Sequence, residues 1–359
     1  MTPLPAGERE WPRPKAWEGE CTHFGRAEPS PCRRFAPAVP LPCRERGWSA
    51  ALFVLLLLLL PAAAQAGPWG PGELVQYRSF PSRHVDPRNV TVWLPPGYDP
   101  KGQPYSVLYM HDGQNLFDPA TGYGGKEWGV DEAAANLISE GAIRRTLVVG
   151  IRNTPKRLRE YVPAKAFDRL PARYMERVRG LYGGAPLSDG YLKFIVRELK
   201  PRIDRSYNVR TGRDDSVIMG SSMGALISLY AVSEYPRVFS GAGIMSTHWP
   251  KMLPAKGKTL TDAEFEMVAS SFERYLAPAL PSPRTHRLYF DHGSEMLDAT
   301  YARNQRRIDR IVARRGYRPG VNLISRNFPG QEHNEISWAS RVEIPLRFLL
   351  PPRKGAHGR

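Results

Sequence analysis

Strand and helix patterns alternate along most of the chain. Runs of consecutive apolar residues, as at 105–111, are typical of strands buried on both faces, whereas apolar residues at helical spacing, as at 189–207, predict amphipathic helices. The predicted strands are 74–83, 89–94, 105–111, 146–151, 216–220, 241–245, 287–291 and 321–327, and the predicted helices are 128–138, 189–207, 225–234 and 298–315. This order predicts an α/β fold, with a mostly parallel central sheet and helices on both faces.

The long stretch 155–187 shows no clear period, and a second variable loop is expected at 249–283. We interpret them as loops beside the sheet, where folds of this class build their contacts with substrate. No internal repeat and no domain linker is evident after Gly67.

The N-terminal part has the pattern of a targeting segment. The apolar run 50–60 follows Arg44 and Arg46 and precedes small residues that end at Ala66. This pattern predicts a cleaved secretory signal peptide and therefore an exported protein, periplasmic or secreted, without a membrane span after cleavage; a retained anchor helix is the alternative. The predicted organisation is an upstream segment plus signal peptide at 1–66, one α/β domain at 67–352 and a polar tail at 353–359.

Composition narrows the chemistry. All three cysteines, Cys21, Cys32 and Cys43, precede the predicted cleavage point, so the mature chain offers no cysteine nucleophile, thiolate zinc site or redox centre. The formal net charge is +16. The basic residues are scattered among acidic ones, which favours a solvated arginine-rich surface over a nucleic-acid partner.

A candidate nucleophile lies at the pattern Gly220-x-Ser222-x-Gly224. An apolar strand precedes this pattern and a helix follows it, which is the context of a nucleophile elbow: a sharp turn that lifts a serine above the sheet. Glycines are needed where a side chain would collide with neighbouring backbone. Ser222 is therefore the predicted nucleophile.

The chain order of an elbow protein, serine then acid then histidine, selects the general base. His248, His286 and His292 come too early to leave a strand and an acid before them, and His357 lies in the polar tail. His333 remains, in a loop after the last predicted strand. The acid is expected just beyond the strand 287–291, where Asp298 and Glu295 both remain open. Asp298 could instead cap a helix, and Glu295 could be a surface carboxylate.

An oxyanion that develops during attack on a carbonyl needs two donors already in place. One is the backbone N–H of Met223, directly after the nucleophile. The other is expected from the loop after strand 105–111, where we favour the N–H of Gln114. A tight turn at Asp112-Gly113 without a catalytic role is the alternative.

Several of these motifs together resemble an esterase family that includes esterase D, the enterochelin esterases, bacterial feruloyl esterases and mycolyltransferases. The resemblance runs from about Val90 to Leu350 and rests on four motifs. They are Val92-Trp93-Leu94-Pro95-Pro96-Gly97-Tyr98, Leu108-Tyr109-Met110-His111-Asp112-Gly113-Gln114-Asn115-Leu116-Phe117-Asp118, the elbow at 220–224, and Gly330-x-x-His333.

The resemblance implies an α/β-hydrolase fold without a large separate cap, a Ser-acid-His triad, ester hydrolysis, and no metal or organic cofactor. By the same matching, Ser222 and His333 take triad positions, and Gln114 and Met223 take oxyanion positions. Acyl transfer to a sugar or lipid, or a non-catalytic binding module, are the alternatives. A small-molecule, carbohydrate or siderophore ester is the implied substrate class. Three aromatic residues bordering the expected site are candidate substrate contacts, or else core or surface aromatics: Trp128, Tyr161 and Trp249.

Overall fold

An eight-stranded sheet organises the part of the chain that the structure, a computed structural model, describes: residues 70–168, 170–251, 255–259 and 261–353. The strands are β1 (Glu73–Phe80), β2 (Arg88–Leu94), β3 (Ser106–His111), β4 (Thr146–Ile151), β5 (Ser216–Ser221), β6 (Gly241–Met245), β7 (Arg287–Gly293) and β8 (Leu323–Phe328). The predicted signal peptide and upstream segment lie outside the described residues.

The strand order is β1-β2-β4-β3-β5-β6-β7-β8. β1 and β2 are antiparallel to each other, and β2 is antiparallel to β4, whereas every pair from β4 to β8 is parallel. Because the carboxyl ends of parallel strands meet at one edge of a sheet, the loops after β3, β5, β6, β7 and β8 lie near one another. This edge is where the predicted site residues occur.

Ten α-helical segments occur among the described residues. They are α1 (Val130–Ser139), α2 (Arg157–Tyr161), α3 (Ala172–Tyr182), α4 (Ser188–Phe194), α5 (Lys200–Ser206), α6 (Met223–Glu234), α7 (Asp262–Ala279), α8 (Ala302–Arg315), α9 (Glu335–Ala339) and α10 (Glu343–Leu349). None of the helices in this part of the chain is both long and apolar enough to cross a membrane.

The two faces of the sheet are buried in separate apolar clusters. Along β3, Val107 and Tyr109 join the cluster that contains α5 and α6, while Leu108 and Met110 join the one that contains α1 and α10. Successive side chains of a strand point to opposite faces, so a strand covered on both sides must be apolar throughout. The predicted two-sided burial of β3 is therefore what the structure has.

Three predicted elements differ from the structure. The predicted helix 189–207 is helical throughout but consists of α4, a π-helical turn at Ile195–Leu199, and α5. The stretch 155–187 contains α2 and α3, and 249–283 contains the 18-residue helix α7. A capping box marks the start of α7, because Thr261 and Glu264 exchange side-chain and backbone hydrogen bonds, and the sequence pattern Thr-x-x-Glu was its overlooked signal.

Candidate active site

Ser222 occupies the turn between β5 and α6 in a strained backbone conformation, with φ 55° and ψ −121°. A Cβ at Gly220 would lie 2.8 Å from the carbonyl carbon of Gly224, and one at Gly224 would lie 3.2 Å from the carboxylate of Asp112. Both glycines therefore permit the close approach that the turn requires. The backbone N–H of Ser222 donates to the carbonyl of Met245 on the next strand at 3.0 Å, which holds the turn against β6.

His333 lies in the loop between β8 and α9, within reach of the serine. Its Nε2 is 2.9 Å from the Ser222 hydroxyl oxygen, and its Nδ1 is 2.6 Å from Oδ1 of Asp298. A carboxylate can only accept, so Nδ1 carries the proton and Nε2 is left to accept from the serine. The rings of Tyr301 and Trp338 meet the imidazole edge to face, with centroids 5.6 and 5.0 Å away, and fix its plane.

Of the two candidate acids, the structure brings only Asp298 to the imidazole. Asp298 is fully buried, and its Oδ2 accepts from the Ser246 hydroxyl and from the Gly293 N–H, each at 2.6 Å. Glu295 is exposed, and its carboxylate accepts from the hydroxyl of Ser294. Among the described residues, no hydrogen bond joins the Glu295 carboxylate to His333.

The helix-capping alternative for Asp298 also fails. Asp298 lies within a 3-10 turn, Met296–Thr300, and α8 begins only at Ala302. Burial by itself raises the pKa of the Asp298 carboxyl, but hydrogen bonds from His333, Ser246 and Gly293 outweigh it. The net effect is a pKa below the ordinary value, so the group stays ionised beside the imidazole.

Ser246 lies directly after β6, and the sequence analysis did not predict a role for it. Its hydroxyl accepts from the indole N–H of Trp338 at 3.0 Å and from Nη2 of Arg341 at 2.9 Å. Because both of those groups only donate, the single hydroxyl proton must go to Asp298. Arg341 is in turn paired with buried Asp291 at 3.1 Å. Ser246 is thus a polarised donor that orients the acid.

We expect Ser246→Ala to lower kcat/KM for an ester substrate about tenfold, because hydrogen bonds to charged groups contribute about 1.5–3 kcal/mol. The variant removes a donor that lowers the Asp298 pKa, so the carboxyl should take up a proton at a higher pH than in the parent. The acidic limb of the kcat/KM profile should therefore move to higher pH. A pH–rate profile measures both effects.

Ser233→Ala is the matched control, because the Ser233 hydroxyl is also buried and donates to a backbone carbonyl, that of Leu229, at 2.8 Å. Ser233→Ala should have the same pH–rate profile as the parent protein. An unchanged profile in Ser246→Ala would show that the hydroxyl does not act on Asp298.

The predicted oxyanion donors border the same turn. Met223 is the first residue of α6, so its N–H has no intrahelical acceptor. Gln114 lies in the 3-10 turn Gly113–Asn115 that follows β3, and β3 pairs directly with β5. A Cβ at Gly113 would lie 2.4 Å from the carbonyl carbon of Gly150, so the loop needs glycine to sit this close to β4.

An ion pair holds the turn that carries Gln114. Asp112 has a left-handed backbone, with φ 55°. Nε and Nη2 of Arg157 donate to its two carboxylate oxygens at 2.7 Å each, and Asn153 Nδ2 donates at 2.7 Å. Burial raises the pKa of Asp112, and the Arg157 charge outweighs it, so the pKa falls below its usual value. Sequence reasoning missed Arg157 and Asn153 because they come from the stretch after β4.

The three aromatic candidates for substrate contact are buried in the apolar clusters. Trp128 packs against Trp338 with ring centroids 5.5 Å apart, and Trp249 packs against Phe272 at 6.1 Å. The relative exposures of Trp128, Tyr161 and Trp249 are 4%, 0% and 3%. All three pack within these clusters, and Trp128 contacts Trp338, the ring of which meets the His333 imidazole.

The described residues contain no group of three or more His, Cys, Asp or Glu side chains arranged to hold a metal ion. The polar contacts of the site join Ser222, His333 and Asp298, and a second set pairs Asp112 with Arg157. This donor set suits proton transfer and nucleophilic attack.

Comparison with known proteins identifies the family of the chain. A family model described as "Putative esterase" matches residues 83–318, a span that contains Ser222 and Asp298 and ends before His333. Two Bacillus subtilis (strain 168) proteins are similar over 163 residues each. "Uncharacterized protein YbbA" is 27% identical, covering 45% of this chain and 58% of its own length; "Ferri-bacillibactin esterase BesA" is 29% identical, covering 44% and 53%.

The chain thus matches little more than half the length of these two relatives. Among solved structures, an IroE-like serine hydrolase from Shewanella oneidensis superposes with a TM-score of 0.55 at 18% identity, covering 77% of this chain and 79% of that one. This likeness shows the α/β-hydrolase fold. Since the family model covers well over half of the chain, the chain belongs to the "Putative esterase" family.

Proposed function

We propose that this protein is a serine esterase that cleaves carboxylic esters through an acyl-enzyme on Ser222, with His333 as general base and Asp298 as the triad acid. One observation carries the proposal: an unbroken hydrogen-bonded chain joins Asp298, His333 and Ser222, with links of 2.6 and 2.9 Å, at an elbow that leaves the serine partly exposed. This is the arrangement that activates a hydroxyl, which is otherwise a weak nucleophile.

In the proposed reaction, the Ser222 oxygen attacks the ester carbonyl carbon while its proton passes to Nε2 of His333. The carbonyl oxygen becomes an oxyanion, and the N–H groups of Met223 and Gln114 donate to it. The C–O bond to the alcohol then breaks, and His333 gives its proton to the departing alcohol. Water next attacks the acyl-enzyme, His333 takes the proton from water, and the acid leaves as Ser222 recovers its hydrogen.

Asp298 acts on this sequence through the imidazole. Its carboxylate fixes the tautomer in which Nε2 is free to accept, and its negative charge stabilises the imidazolium that forms during each attack. The carboxylate is buried and ionised, so its charge acts in a medium that screens it weakly. Ser246 and the Gly293 N–H keep it from rotating away.

The proposed substrates are small-molecule or carbohydrate esters. One relative is described as a ferri-bacillibactin esterase. The proposed substrate classes for this chain are therefore siderophore esters, acylated sugars and small xenobiotic esters. A panel of these esters, together with a short-chain aryl ester, should show release of the free acid by the purified protein.

The same assay separates hydrolysis from acyl transfer. With an added sugar or long-chain alcohol acceptor, we expect the free acid to remain the main product by mass spectrometry; an acylated acceptor as the main product would establish transfer instead. A fluorophosphonate probe should label Ser222, and a protein that neither reacts with the probe nor turns over any ester of the panel would be a binding module.

A further inference from the structure

A large cavity lies away from the catalytic residues, at the outer edge of the sheet. It has a volume of about 980 Å³ and is formed by the edge strand β1, the segment 81–84 that follows it, and the helical stretch 197–205. Neither Ser222 nor His333 lines it. The proposed ester chemistry therefore gives this cavity no role.

The cavity is lined by five arginines: Arg78, Arg83, Arg197, Arg202 and Arg205. All five are exposed, and none has an ion-pair partner in the described part of the chain. Glu198 is the one carboxylate in the lining; its Oε1 accepts from the backbone N–H of Arg83 at 3.0 Å, and its buried Oε2 has no hydrogen-bond partner among the described residues. The lining thus holds a large excess of positive charge on forked donors that suit carboxylates and phosphates.

The side chains in and around the cavity indicate which class of polyanion fits it. Of the large apolar side chains most exposed in the described residues, Tyr123, Leu158, Met296, Val321 and Ile336, none lines the cavity, so it has nothing to insert into a lipid surface.

The aromatic side chains of the lining are also engaged elsewhere. Tyr77 and Phe80 contact each other edge to face at 6.2 Å, and Phe80 contacts Phe194 in the same way at 5.8 Å. Both side chains are only partly exposed, which limits the surface on which the bases of a single-stranded nucleic acid could stack. The five exposed arginines of the lining, which outnumber its single carboxylate, fit a flexible chain of carboxylated sugars.

A second cavity connects this region with the oxyanion loop. It has a volume of about 610 Å³, shares Gln76 and Arg78 with the first cavity, and extends to Gly113 and Gln114. Arg152 adds another cation along the way. A polymer that occupies the arginine-lined cavity can thus continue over β1 toward the loop that carries a proposed oxyanion donor.

We propose that the arginine-lined cavity binds an acidic polysaccharide, the carboxylates of which pair with Arg78, Arg197 and Arg202. A role of this cavity as a remote subsite for a polymeric ester rests on the proposed function. Binding of the polysaccharide itself is independent of that function.

Binding is best measured with polygalacturonate, by affinity electrophoresis and by titration of the full chain at low and moderate salt. We expect the parent protein to bind and the affinity to fall as salt rises, because ion pairs at exposed sites are screened. The triple variant Arg78→Gln, Arg197→Gln and Arg202→Gln should bind at least about tenfold more weakly, since exposed ion pairs contribute up to about 1 kcal/mol each.

The control removes three charges from another exposed surface, through Arg306→Gln, Arg310→Gln and Arg314→Gln on and near the outer face of α8. It should bind polygalacturonate like the parent. Equal weakening in both triple variants would show that only overall charge matters and would overturn the proposal. No binding by the parent, or tighter arginine-dependent binding of single-stranded DNA or of anionic phospholipid vesicles, would overturn it as well.

Hydrolysis of a short neutral aryl ester serves as the parallel readout. Both triple variants should keep the parental kcat and KM, because the six arginines lie outside the proposed catalytic residues. A parent that binds polygalacturonate but hydrolyses no ester would contradict the proposed function and leave the binding site standing; the reverse result would contradict the binding site alone.

Discussion

Ser222→Ala is expected to lower kcat/KM for a short-chain aryl ester by ~10⁵-fold, while the melting temperature stays close to that of the parent. The loss follows from removing the only atom that can form the acyl-enzyme, since water would then have to attack the ester without covalent catalysis. Steady-state kinetics and a fluorophosphonate labelling gel measure it. The labelled band should disappear together with the activity.

The neighbouring serine provides a matched control. Ser221 is the last residue of β5 and is buried, with a relative exposure of 5%. Ser221→Ala removes the same atom one residue away and should retain most of the activity and all of the labelling. Turnover that survives Ser222→Ala at the parental rate would disprove the acyl-enzyme on this residue.

Asp298→Asn is expected to lower kcat/KM by about 10⁴-fold. The amide can donate to Nδ1 of His333 where the carboxylate accepts, which moves the imidazole proton to Nε2. That nitrogen then can no longer accept the proton of Ser222, so the nucleophile stays a neutral alcohol. The shape of the site is nearly preserved, and the effect should therefore appear in kcat with little change in KM or in thermal stability.

Glu295→Gln tests the other carboxylate that the sequence left open. Glu295 is exposed, and its carboxylate accepts only from the Ser294 hydroxyl among the described contacts, so its variant should differ from the parent by less than about twofold. A large loss in Glu295→Gln combined with a tolerant Asp298→Asn would mean that the loop after β7 rearranges when substrate binds, with Glu295 replacing Asp298.

Both expected losses depend on a site that is held in place before substrate arrives. The hydrogen bonds that join Asp298, His333 and Ser222 are supported by the Ser246 hydroxyl directly after β6, and the proposed oxyanion loop by Arg157 from α2. Electrostatic stabilisation of a transition state is effective when the donors need not reorganise. Substitutions of these supporting residues should therefore reduce activity more than they reduce stability.

Elements of this protein with contiguous sequence signals could be predicted from the chain. The elbow was predictable because its signals are contiguous: an apolar strand, two glycines at fixed spacing around Ser222, and an apolar helix. His333 was predictable because chain order left a single candidate. The helix α7 was missed although its capping box at Thr261 and Glu264 is also local, because the helical period after it was not recognised.

Other features were beyond any pattern in the chain. Asp298 and Glu295 follow the same strand three residues apart, and only the path of the loop turns one inward and the other to solvent. Trp128, Tyr161 and Trp249 are buried, since long-range packing decides whether an aromatic side chain lines a cleft or fills a core.

The amino-acid sequence by itself thus determined the α/β architecture, the strained turn at Ser222, and His333 as the histidine that contacts this serine. Each of these depends on neighbours within a few residues or on chain order. Only the tertiary structure decided which acid meets the imidazole, that Ser246 and Arg341 support it, and that five arginines line one cavity. Those arrangements join residues that are tens to more than a hundred positions apart, and such contacts exist only once the sheet has brought its strand ends together.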